Sequence, residues 1–306
     1  MPVSNLLRAL FAVALPGVLL VGAACAMQPE ARPVDPATPV AVAADAPKAV
    51  GPFVSAANPH AVAAGMAVLE RGGTAADAAV QTVLGLVEPQ SSGLGGGAFM
   101  MWFDAESGTV TAYDGRETAP AAATPELFWQ DGKPLVFADA VMSGRSTGVP
   151  GAVAMLGLAQ ARHGRLAWAD LFGEAERLAE AGFEVSPRLG GFIASTRGQA
   201  RSDWANAYFT GADGARVETG DVLTNPAYAE TVRALAAGGA RALYEGPIAE
   251  GIVETVGEAP RPGALTLEDM AGYQPKVREA LCRPYRIYVV CVPPPPSSGV
   301  SLLQLL

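Results

Sequence analysis

Few side chains in this sequence could do chemistry, and the most informative is Arg116. It stands in Asp114-Gly115-Arg116-Glu117-Thr118-Ala119-Pro120, at the end of a predicted strand and beside a glycine that frees the backbone. A guanidinium there can hold a carboxylate through two parallel hydrogen bonds, which a lysine cannot. The bland alternative is an ion pair with Asp114 or Glu117, of the kind that contributes little on a protein surface. Gly93-Leu94-Gly95-Gly96-Gly97 invites a phosphate-loop reading, since glycines let backbone N–H groups approach an anion. A dinucleotide loop follows a strand and opens a helix, whereas this run closes a helix and leads into a strand, with no Gly-Lys-Ser/Thr after it. It is read as a tight turn where helix and sheet cross closely.

The two histidines occupy structural positions. His60 lies in the first turn of an apolar helix and His163 at a helix end before Gly164, and no Gly-x-Ser-x-Gly elbow occurs anywhere. Glu88, Ser91 and Ser92 mark a helix exit, where capping and turn roles suit them, and Ser297-Ser298 after four prolines carries the same ambiguity. Besides Cys25 the chain has only Cys282 and Cys291, read as two buried thiols on neighbouring strands, although an oxidising compartment would permit a bridge. With so few ligand-type residues and no zinc-like spacing, neither a metal nor a cofactor is expected.

Asn58-Pro59 starts a helix that stops at Gly72-Gly73, and Thr74 with Asp77 forms a capping-box pattern opening a second, apolar through Val83, Leu84 and Val87. Ala98 to Phe103 and Thr109 to Tyr113 read as a hairpin that delivers Arg116. Helices are predicted at Gly151 to Arg162, Trp168 to Ala181, Pro187 to Ser195, Pro226 to Ala237 and Pro247 to Val256, and late strands near Val277 to Leu281 and Arg286 to Val292. Strand pairs separated by blocks of helices predict a mixed α/β (α+β) domain with helices layered on a sheet.

Composition bounds the partners. The 306 residues are 50% apolar and 17% charged with a net charge of -9, which excludes collagen-like, heptad-rich and disordered chains and gives no reason to expect nucleic acid. Residues 1–26 read as a signal peptide, with an uncharged run from Ala9 to Ala24, and residues 27–50 as a Pro/Ala-rich linker. Cleavage after Ala26 competes with a lipoprotein-type cut that would place a lipid, and so a membrane anchor, on Cys25. The expected destination is export to the periplasm, either free or lipid-anchored to the outer membrane.

Six stretches taken together resemble the gamma-glutamyltransferase (gamma-glutamyltranspeptidase) family. They are Ser55-Ala56-Ala57-Asn58-Pro59-His60-Ala61, Gly72-Gly73-Thr74-Ala75-Ala76-Asp77-Ala78, Glu88-Pro89-Gln90-Ser91-Ser92 with Gly93 to Gly97, the Asp114 to Pro120 segment, Gly148-Val149-Pro150-Gly151, and Pro294-Pro295-Pro296-Ser297-Ser298-Gly299. They occur in family order across residues 51–306. The resemblance implies an N-terminal-nucleophile hydrolase fold, an αββα sandwich incomplete in this chain, made as a precursor that cuts itself into large and small subunits. This chain matches the front of the large subunit, truncated at its carboxyl end. The family nucleophile is a threonine opening the small subunit in a Thr-Thr-His stretch, and no Thr here is followed by another. No catalytic residue is therefore assigned, and the one position carried over is Arg116, matching the family arginine that holds the α-carboxylate of the γ-glutamyl group. Val300 after Gly299 departs from a family glycine pair and touches local backbone geometry. The implied activity moves the γ-glutamyl group of glutathione, or of other γ-glutamyl compounds, to water, amino acids or peptides, with the missing small subunit as partner and this chain alone inactive. A related acylase acting on β-lactam side chains and a noncatalytic lipid-anchored binding module are the alternatives.

Overall fold

The computed structural model describes residues 51–82, 86–89 and 93–306. Residues 1–50, which hold the expected signal peptide with Cys25 and the expected linker, lie outside the described residues, as do Val83, Leu84, Ser91 and Ser92. Asn58 caps the first helix, its side chain accepting from the His60 N–H at 2.9 Å, with Pro59 at the first helical position of α1 (Pro59–Glu70). Thr74 and Asp77 form the reciprocal box that opens α2 (Ala75–Thr82), with the Thr74 N–H donating to Asp77 at 2.8 Å and the Asp77 N–H to Thr74 at 3.3 Å.

Strands β1 (Ala98–Asp104) and β2 (Thr109–Gly115) pair antiparallel with Ala98 opposite Gly115. β2 is exposed at its turn end and buried from Ala112 to Gly115, so the chain emerges from the interior at Arg116. Helix α3 (Ala152–His163) packs on both strands and on α2. Then follow α4 (Gly173–Ala181), α5 (Pro187–Ala194, capped by Ser186), α6 (Pro226–Gly238, capped by Asn225), α7 (Pro247–Glu258) and α8 (Leu267–Gly272, with a Thr266–Asp269 capping box). β3 (Lys276–Glu279) returns to β2, making a sheet in the order β1-β2-β3, and β4 (Leu281–Tyr285) pairs with β5 (Tyr288–Val292) before α9 (Gly299–Leu305).

The expected mixed helix-and-sheet class is the class seen, and three local expectations are corrected. Trp168 to Ala181 is not one helix: Trp168–Leu171 is a 3₁₀ turn and α4 begins after Phe172, whose φ of -112° breaks the helical run. The strand predicted from Val277 to Leu281 divides at Ala280, because its first part pairs with β2 and its second with β5, while Arg286 lies in the turn at φ +57° rather than in a strand. The cysteines are not free thiols. β4 and β5 place Cys282 directly opposite Cys291, their Cα atoms 4.1 Å apart, and the two are joined in a disulfide.

One apolar core gathers Tyr113 from β2, Val153, Met155 and Leu156 from α3, Leu235 from α6, and Tyr244. A second gathers Leu86, Leu178, Phe183, Leu189, Ile193 and Phe209. The first lies beneath the Arg116 end of β2 and fixes that strand. The Tyr244 hydroxyl donates to the Pro150 carbonyl at 2.9 Å and accepts from the Ala154 N–H at 3.1 Å, which satisfies backbone groups at the start of α3.

Candidate functional site

Arg116 is held by its backbone, while its head meets only the Glu117 carboxylate among the described residues. Its N–H donates to the Asp114 carboxylate at 2.9 Å, and its carbonyl accepts from the Tyr273 hydroxyl at 2.8 Å. Asp114 is buried and pairs through its other oxygen with Nε of Arg278 on β3 at 2.8 Å. Burial, and then the negative charges of Asp114 and Glu117, push the Tyr273 hydroxyl up to about 12, so it remains a proton donor through the neutral range. The residues that follow are pinned too, by a two-way backbone bridge between Thr118 and Val149 at 2.9 and 3.3 Å.

The glycines explain how the strand end meets the helix so closely. The Gly96 carbonyl accepts from the Gly151 and Ala152 N–H groups at 3.1 and 3.0 Å, joining the glycine run to the first turn of α3. A Cβ at Gly97 would press on the Glu117 carboxyl carbon at 2.7 Å and the Gly115 carbonyl at 2.9 Å. The turn therefore acts as packing, and no ligand role is assigned to it.

The Arg116 side chain is more than half exposed, at 55%, and Nη1 lies 2.9 Å from Glu117 Oε2. That oxygen is buried yet has no aligned hydrogen bond, so the pair is a close contact of charges with poor geometry. Arg116 stands between two concavities. One, of about 450 Å³, is also lined by Glu117, Pro120, Phe128 and Arg145; the other, of about 200 Å³, by Asp114, Tyr273, Lys276 and Arg278. The arrangement can exchange a weakly aligned internal carboxylate for a better aligned external one. The ion pair with Glu117 weighed against a ligand role is present, and a concavity lies beside it.

Other residues singled out from the sequence are absorbed by structure. Buried Glu88 accepts from Asn58 at 3.1 Å and from Ser186 at 2.8 Å, tying α1 to the start of α5. His163 stacks on Trp102 at 4.2 Å and meets the Tyr113 hydroxyl at 2.6 Å. Burial, helped by Arg162 and opposed by Asp104, lowers its pKa, so it is a neutral packing group near pH 7. Ser297 accepts from the Gly299 N–H at 3.2 Å before α9. Among the described residues no group of three or more His, Cys, Asp or Glu is placed to hold a metal ion. Sequence reasoning missed Tyr273, Arg278 and Arg145, whose approach to position 116 depends on folding across long separations.

The sequence profile of the family described as Gamma-glutamyltranspeptidase matches residues 61–306. The chain belongs to the gamma-glutamyltranspeptidase family. Over 258 residues it is 35% identical to the glutathione hydrolase proenzyme of Bacillus subtilis strain 168, covering 83% of this chain and 43% of that protein. It is 37% identical over 246 residues to glutathione hydrolase 2 of Arabidopsis thaliana, covering 80% and 41%. Among solved structures it superposes on gamma-glutamyltranspeptidase of Helicobacter pylori with a TM-score of 0.77 at 30% identity, over 82% of this chain and 72% of that one. The fold is thus that of N-terminal-nucleophile hydrolases of the gamma-glutamyltranspeptidase type. This chain spans about two fifths of the length of the curated relatives it matches.

Proposed function

We propose that this chain is the donor-binding portion of an enzyme that transfers the γ-glutamyl group of glutathione, or of related γ-glutamyl compounds, to water, amino acids or peptides. Arg116 grips the α-carboxylate of the glutamyl group. The observation that carries the reading is the combination of a rigid backbone and a loosely matched head at that residue: Asp114 and Tyr273 fix where the guanidinium starts, and Glu117 holds it without an aligned hydrogen bond. A carboxylate from the ligand offers two parallel acceptors, which Glu117 does not in this geometry. The reading also draws on the family membership and on the names of the relatives.

In this proposal the attacking hydroxyl comes from a threonine in a small subunit cut from the same precursor. Its oxygen adds to the γ-carbonyl, the amide C–N bond breaks with release of the amine, and the resulting glutamyl ester passes to water or to an acceptor amine. The part played here is placement: a carboxylate clamped at Arg116 fixes the γ-carbonyl along the chain of the glutamyl group. Residues that bind without attacking cannot turn over substrate, so this chain alone is inactive.

The test uses the protein encoded by the complete reading frame. Arg116→Ala is expected to lower kcat/KM for a chromogenic γ-glutamyl anilide roughly a hundredfold, and Arg116→Lys to recover only part of it, because a lysine cannot make the two-point contact. Wild-type activity in Arg116→Ala would end the assignment. The 306-residue chain alone should release no product, and turnover by it that is lost in Arg116→Ala would show the site to be complete without a second subunit.

A further inference from the structure

The 450 Å³ cavity beside Arg116 is lined by a second arginine, Arg145. Arg145 lies in the 3₁₀ turn Gly144–Ser146, packed so closely that a Cβ at Gly144 would collide with the Val256 carbonyl and the Gly263 backbone nitrogen. Its Nη1 donates to the carbonyls of Leu127 at 3.3 Å and Trp129 at 3.1 Å, both uncharged acceptors. Among the described residues no carboxylate forms an ion pair with it, and Nε and Nη2 have no acceptor. Arg216, which lines a different concavity, shows the contrast: Nε, Nη1 and Nη2 are all engaged, by Ile193, Asn206 and Ala200. The lining of the Arg145 cavity therefore carries two arginines against the single carboxylate of Glu117, and Phe128 adds an apolar side chain to it. A space of this size takes a molecule as large as a tripeptide.

We propose that Arg145 receives a second carboxylate on the donor, so that the site selects γ-glutamyl peptides ending in a free carboxyl group over uncharged γ-glutamyl amides. The inference rests on the γ-glutamyl reading of Arg116 and adds a specificity-determining residue to it. A donor with one carboxylate at Arg116 and another at Arg145 brings the charge that Glu117 alone does not supply. Arg145 takes no part in bond making.

The experiment compares glutathione with its glycine-carboxamide analogue, which differs only in losing the second negative charge, using the protein from the complete reading frame. The native enzyme is expected to favour the free acid roughly tenfold in kcat/KM, the amount one charge-assisted contact supplies at a partly exposed site. Arg145→Gln should bring the two donors within about twofold of one another, and Arg145→Lys should keep an intermediate preference. The ratio separates recognition from loop anchoring, because a loosened Leu127–Trp129 segment would depress both donors together. Equal use of both donors by the native enzyme, or an undiminished preference in Arg145→Gln, overturns the inference and leaves the γ-glutamyl reading standing. Turnover of neither donor by the native enzyme brings down both.

Discussion

Two carboxylates of the fold, Asp77 and Glu117, behave in opposite ways. Asp77, at the start of α2, is wholly buried and receives hydrogen bonds from the N–H groups of Thr74, Arg165 and Leu166, from the Thr74 hydroxyl and from the Gln160 amide, at 2.8 to 3.4 Å. Burial alone would raise its pKa, but those donors outweigh it and hold it below the ordinary aspartate value. Glu117, beyond β2, has one oxygen buried without an aligned donor and a half-exposed arginine as its neighbour. The first arrangement is complete and excludes any newcomer; the second leaves room for a better partner. Saturation of its hydrogen bonds makes Asp77 a structural charge, and the unfinished pair at Glu117 is what the proposed ligand role of Arg116 draws on.

The comparison is broken most directly at Asp77. Asp77→Ala strands several buried donors that span α2, α3 and the segment after it, and should destabilise the chain by about 3 kcal/mol in urea unfolding. The pH dependence follows from the sign of the shift. Because the folded pKa lies below the unfolded one, the carboxylate's contribution is present above about pH 4 and is lost as pH falls through the folded value. Asp77→Asn should therefore lower stability at pH 7 and flatten its fall below pH 4. Equal stability of native and Asp77→Ala chains would remove the distinction between the two carboxylates.

A smaller effect is expected at the support of the binding side. Tyr273→Phe deletes the hydroxyl that holds the Arg116 carbonyl and should cost about 1.5 kcal/mol, since the ring stays packed against Tyr244 while the carbonyl loses its partner. If Arg116 binds the donor as proposed, the complete protein with this substitution should show KM for γ-glutamyl donors raised more than kcat is lowered, because the arginine is placed more loosely. A fall in kcat alone at unchanged KM would point to a role in the chemistry instead.

Local signals carried much of this in the sequence. The Asn58 cap, the Thr74–Asp77 box, the helix starts at Pro187 and Pro226 and the β1–β2 hairpin are interactions within a few residues, and types and spacing suffice to find them. Arg116 stands out in the sequence because its head group and its place after a glycine at a strand end are both local. What escaped depends on register and long closure. The Cys282–Cys291 bridge needs the pairing that faces them across β4 and β5, the split at Ala280 needs knowledge of which neighbour each half takes, and Arg165 and Leu166 reach Asp77 only once α3 is docked. Arg145 and Tyr273 belong to this second group, since nothing in Gly144-Arg145-Ser146 or Gly272-Tyr273 says which carbonyl or cavity they will meet.

The smallest effect on stability should come from the residue with the largest expected effect on activity. Arg116→Ala removes a side chain that is 55% exposed and an ion pair without hydrogen-bond alignment, while the backbone contacts to Asp114 and Tyr273 do not depend on the side chain. Exposed pairs of this kind contribute little, so unfolding of the 306-residue chain should shift by less than about 0.5 kcal/mol. Urea denaturation of the native and Arg116→Ala chains side by side measures it. A loss as large as that of Asp77→Ala would mean that Arg116 is tied into the fold as Asp77 is, and the pair with Glu117 would have to be read as structure. An unchanged midpoint, set beside a hundredfold fall in donor turnover, separates the guanidinium's binding task from the architecture that carries it.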